Sequence, residues 1–81
     1  MYMFIRNEIK ARARLAKGLI NILKDDIEML NVDADNLNLI SIEESIKETK
    51  DTLYDIMDNV TEMEYAVNSL KEVRKWNSSN E

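Results

Sequence analysis

Between residues 9 and 30 the apolar positions advance in steps of four and three: Ile9, Ala13, Ala16, Ile20, Leu23, Ile27 and Leu30. Such steps return side chains to one face of an α-helix, so the spacing predicts a helix over about residues 3–30 with this set as its seam. A second set, Ile5, Leu15, Leu19, Ile22 and Met29, widens the apolar stripe to roughly 160° at 100° per residue. That is more than one antiparallel neighbour covers, so this helix should touch at least two others. The second half repeats the rhythm through Ile42, Ile46, Thr49, Leu53, Ile56, Val60, Met63, Val67 and Leu70, with Thr49 the only polar member. It predicts a helix over about residues 41–76, begun by Ser41 and Glu44 at the spacing of a capping box. Residues 31–40, with two Asp and three Asn, lose the period and form the expected connection. The expected organisation is one helical-hairpin domain over 1–76 and a flexible tail over 77–81.

The chain has no Pro and one Gly in 81 residues, which removes the punctuation that sheets and hairpin turns need. Gly18 is the one possible break, since Leu15 to Leu19 resembles a helix end with Gly supplying a left-handed residue. The seam stays in phase across it. One continuous helix is therefore expected, at a cost of roughly 1 kcal/mol for the Gly, with a three-helix chain as the alternative.

A domain this small barely offsets its chain entropy and usually carries an extra stabilising device. Disulfides, thiolate metal sites and histidine ligands are ruled out, because the chain has no Cys and no His. Self-association remains. An isolated pair of helices leaves the Leu15, Ile22, Met29 row in water, at about 1.5–3 kcal/mol of unused burial per large side chain. Helix 2 is expected to be the longer, so Val73 and Trp76 lie on its overhang. Leu15, Leu19, Ile22, Met29, Val73 and Trp76 are thus the expected interface of a homodimer, a four-helix bundle or coiled-coil-like assembly.

Charge is segregated along the chain. Residues 1–24 hold six Lys/Arg against one Glu, and residues 25–64 hold thirteen Asp/Glu against Lys47 and Lys50. Glu44, Glu48, Asp51, Asp55, Asp58 and Glu62 form a ladder opposite the seam of helix 2, continued by Tyr65. A solvated face commonly carries charge but usually mixes signs, because like charges at i,i+4 repel. Glu48, Asp51, Asp55, Asp58, Glu62 and Tyr65 are therefore candidates for docking a basic groove of another protein, with Tyr65 as anchor.

Lys10, Lys17 and Lys24 recur every seven residues beside the helix 1 seam, with Arg14 nearby. Folding about residue 36 would set them level with Glu62, Asp55 and Glu48, which suggests interhelical pairing that sets register. The alternative use is neutralising nucleic-acid phosphates. In architecture alone the expected molecule resembles the plasmid Rop proteins, dimers of helical hairpins that present a helix face to RNA; no residue carries across.

Asp33, Asp35, Asn38, Ile40, Ser41 and Glu44 match several positions of an EF-hand calcium loop, but Leu37 stands where an oxygen ligand is required and Asn38 replaces the Gly. A turn built from Asx residues is the simpler expectation, with no metal and no cofactor. Catalysis has little to stand on, because Ser/His, Cys/His and E-x-x-H chemistry all need residues the chain lacks. No stretch approaches the roughly 20 apolar residues of a membrane span, and basic residues interrupt any signal-peptide core, so a cytoplasmic location is expected. Nine Asn and nine Ile against five Ala point to an AT-rich genome. The functional expectation is a non-enzymatic interaction protein, a small regulator or inhibitor of phage or mobile-element type. Nucleic-acid binding and a structural assembly role are the alternatives.

Overall fold

The computed structural model describes the backbone of residues 2–80 and the side chains of residues 3–74. Two helices, α1 (Tyr2–Asp35) and α2 (Leu39–Asn80), pack against each other as a hairpin. The result is a rod of 66 × 16 × 11 Å with a radius of gyration of 18.8 Å. A compact chain of this length has a radius nearer 12 Å. No helix among the described residues is long and apolar enough to cross a membrane.

Helix α1 passes through Gly18 without a break, and the space where a Cβ would sit there is open. Both helices outrun their predicted ends. The ten-residue connection shrinks to residues 36–38, because the polar residues that suggested a loop serve as helix terminators. Leu37 adopts the left-handed conformation, φ 52°. Its N–H donates to the Ala34 carbonyl at 3.1 Å, and the Asn38 N–H donates to the Asp33 carbonyl at 3.4 Å. These two bonds make a Schellman motif, which satisfies carbonyls at the end of α1. Asn38 also caps α2: its Oδ1 accepts from the Ser41 N–H at 3.2 Å, and its carbonyl accepts the first helical bond from Ile42 at 2.9 Å. The cap is thus Asn38 rather than the Ser41/Glu44 box, and Ser41 is already inside the helix. At the other end α2 continues to Asn80, past the predicted limit at 76. The side chain of Trp76 lies outside the described residues.

The helices face each other through rows that differ from the predicted seams. On α1 the residues turned inward are Ile5, Ile9, Arg12, Ala16, Leu19, Leu23, Asp26, Leu30 and Asp33; on α2 they are Ser45, Thr49, Thr52, Ile56, Asn59, Met63, Ala66, Leu70 and Val73. Both sets keep the four-three rhythm, displaced by one row around each helix. Three inward positions on α1 and four on α2 are consequently polar or charged, and all but Thr49, which donates to the Ser45 carbonyl of its own helix, meet across the contact. Ser45 Oγ donates to Asp33 Oδ2 at 2.5 Å, Thr52 Oγ1 to Asp26 Oδ2 at 2.7 Å, and Arg12 Nη1 to Asn59 Oδ1 at 3.3 Å. Thr52 Oγ1 also lies 3.1 Å from the Glu48 carbonyl, so its one proton serves the nearer carboxylate. Apolar burial is slight: among the described residues Ile5 and Ala16 are the only buried apolar side chains, and neither is fully buried.

The Asp33–Ser45 and Asp26–Thr52 bonds set the fold point near residue 39 rather than 36. Val73 is therefore not on an overhang; it is half-buried and shares a cleft with Phe4 and Ile5.

Candidate interaction surfaces

The displaced contact leaves the hairpin with two unlike sides. A cleft holding Glu8 with Glu62 and Ser69 identifies the rows that border the first side. By their seven-residue repeat these rows are Glu8, Leu15, Ile22, Met29 on α1 and Glu48, Asp55, Glu62, Ser69 on α2. A cleft holding Arg6 with Leu70 identifies the second side. Its α1 row is Arg6, Ala13, Ile20, Ile27, Ala34, and the α2 row next to Leu70 is Ile46, Leu53, Val60, Val67. Ile5 lines both clefts, as its place on the midline requires.

On the first side the predicted acidic strip is exposed throughout, from Glu44 and Glu48 through Asp51, Asp55 and Asp58 to Glu62. Glu48, Asp55 and Glu62 border the contact with α1, while Asp51, Asp58 and Tyr65 lie one row further out. An open cleft lies between Arg12 and Leu19 of α1 and Asp55, Asp58, Glu62 and Tyr65 of α2. Among the described residues Arg12 is its one cation, with Nε donating to Glu8 Oε1 at 3.1 Å and Nη1 to Asn59. The Asn59 amide in turn donates to the Asp55 carbonyl at 3.0 Å. Tyr65 is 61% exposed and also lines the neighbouring cleft with Phe4, Ala66 and Val73. It stands on the ridge between a carboxylate-lined cleft and a largely apolar one.

The predicted interface residues do not form one patch. Leu15, Ile22 and Met29 are exposed on the acidic side, whereas Leu19 is half-buried against α2. Pairing of Lys10, Lys17 and Lys24 with Glu62, Asp55 and Glu48 does not occur among the described residues. The lysines flank the second side and the carboxylates the first, so the two rows point apart. All three lysines and Arg14 are exposed along one stripe of α1. Asp33 and Asp35 end α1 while Glu44 sits on α2, so the twelve-residue loop of a calcium site is not formed.

Sequence periodicity missed the polar inner row. Its signal was present as Ser45, Thr52 and Asn59 at seven-residue spacing opposite Asp26 and Asp33, but the larger apolar stripe beside it dominated. Ile46, Leu53, Val60 and Val67 were expected inside and are exposed. No protein-family model, curated protein or solved structure matches the chain.

Proposed function

We propose that the protein is a non-enzymatic helical interaction protein, completed by a second copy of itself, that binds a basic surface of another protein through Glu48, Asp51, Asp55, Asp58, Glu62 and Tyr65. The observation that supports this reading is Tyr65 on the ridge between the two clefts, with exposed carboxylates along its row and the next. Those carboxylates repel one another along α2 and carry no basic partner among the described residues. A basic surface would relieve that repulsion, and a rigid aromatic beside it adds contact area at low entropic cost. A small regulator or inhibitor that occupies such a groove is the role that fits.

A second reading rests on the exposed stripe of Lys10, Arg14, Lys17 and Lys24, which has no acidic partner among the described residues and suits phosphates. Charge reversal separates the two. Asp51→Lys, Asp55→Lys and Asp58→Lys together should abolish retrieval of the partner from native-host lysate and leave the oligomeric state intact. Lys10→Glu, Lys17→Glu and Lys24→Glu together should not. The opposite pattern, with a gel shift on RNA or DNA that weakens steeply with salt, would establish the nucleic-acid reading.

A further inference from the structure

We infer that the second copy docks on the side carrying Ile20, Ile27, Ile46, Leu53, Val60 and Val67, and that the two hairpins lie face to face with their turns at opposite ends. The inference deepens the self-association stated above and is independent of the acidic strip.

The choice of side follows from charge. Between Arg6 and Arg74 the bordering rows of this side hold only Ala, Ile, Leu and Val, while the other side is interrupted by Glu48, Asp55 and Glu62. It also joins the two predicted seams into one surface. Ile9, Ala16, Leu23 and Leu30 touch α2 with one edge, and Ile42, Ile56, Met63 and Leu70 touch α1 likewise. A facing hairpin would cover the remainder, with the polar Asp33–Ser45 and Asp26–Thr52 pairs left at the edge between neighbouring helices, as in a four-helix bundle.

Area supports a partner of this size. The chain exposes 6577 Å². A compact monomer of its mass exposes about 5,000 Å². The excess of roughly 1,500 Å² exceeds the roughly 800 Å² per partner of a standard stable interface.

Orientation is decided by the ends of the rod. Residues 25–51 carry nine Asp/Glu and two Lys, a net of −7; the rest carry seven acids and nine bases, a net of +2, and the two sum to the chain's −5. Turns at the same end would stack −7 on −7, whereas turns at opposite ends set each acidic half on a basic one. One row further out on α2 stand Glu43, Lys50, Met57, Glu64 and Lys71. Reversed on itself, this row brings Glu43 to Lys71 of the second copy and Lys50 to Glu64, with Met57 at the two-fold axis. The apolar stretch of α2 is centred at the same level, so Leu53 falls on Val60, and with the fold point near residue 39 the axis crosses α1 close to residue 21, so Ile20 meets Ile20 of the second copy. Across the other edge Lys17 of each copy approaches Lys24 of the other. These are long exposed side chains that can splay into solvent, and their repulsion is smaller than that of two acidic ends.

Because the chain has no Cys, single cysteines report the arrangement. The full-length Met57→Cys protein, treated with a short bismaleimide at micromolar concentration, should give mostly covalent dimer, and Asn36→Cys at the turn should stay monomeric on the gel. Sedimentation of Leu53→Glu should show the dimer weakened by at least about 30-fold, with Ile22→Glu within a few-fold of the parent. A parent chain that sediments as a monomer overturns self-association itself. A dimer linked through Asn36→Cys and not Met57→Cys overturns the orientation alone, and one lost with Ile22→Glu but kept with Leu53→Glu overturns the choice of side.

Discussion

At residue scale the chain places its one glycine and, among the described residues, its one left-handed residue at different positions. Gly18 lies mid-helix in open space, and Leu37 holds φ 52° where glycine is the usual occupant. Leu37→Gly should therefore raise stability by about 1 kcal/mol, since it relieves backbone strain and its side chain is 82% exposed. Gly18→Ala should add a similar increment, about 0.5–1 kcal/mol, by restricting the unfolded chain. Asn38→Ala removes the acceptor for the Ser41 N–H and should cost about 1 kcal/mol. Thermal denaturation at one fixed protein concentration checks all three. The turn was hard to see beforehand because a Leu at the left-handed position gives none of the signal that Gly gives.

At the scale of the two helices, register is held by polar pairs rather than by a core. Thr52→Val leaves the half-buried Asp26 carboxylate without its hydroxyl donor, and Asp26→Leu leaves Thr52 with only its own helix carbonyl. Each single change should destabilise by about 1 kcal/mol, and the double variant should cost less than the sum, with a coupling of about 1 kcal/mol in a double-mutant cycle. Strict additivity would show that the pair does not act as a unit. The helices themselves, their antiparallel order and the continuity through Gly18 were legible, because a four-three rhythm over so many residues has few other realisations. Their boundaries were not. Asp33 and Asn38 are typical loop residues by type, yet one accepts a hydrogen bond from α2 and the other caps it.

For the whole molecule, a rod 11 Å thick at its narrowest has no interior to hold it together alone. Its folding should be linked to association. If so, the unfolding free energy per dimer should rise by about 1.4 kcal/mol for every tenfold increase in concentration, seen as a melting temperature that climbs across a dilution series. A melting temperature independent of concentration would mean the hairpin is stable by itself. The acidic strip was visible in the sequence as a row of like charges. The cleft that brings Arg12 beside it was not, because Arg12 lies inside the apolar rhythm of the other helix.

Periodicity determines where an apolar stripe lies on a helix relative to that helix, and on that basis the chain alone specified two long helices, too much apolar surface for one hairpin, and acidic and basic ends. It cannot specify how far each helix is turned about its own axis toward its neighbour. That rotation depends on which side chains let the axes approach. Here small residues, Ala16 on α1 and Ser45, Thr52 and Ala66 on α2, occupy the contact, so the helices meet through them and the bulkier Ile, Leu and Val rows are set to one side. A single left-handed residue at Leu37 then fixes the length of the turn, and with it which residues stand level across the pair.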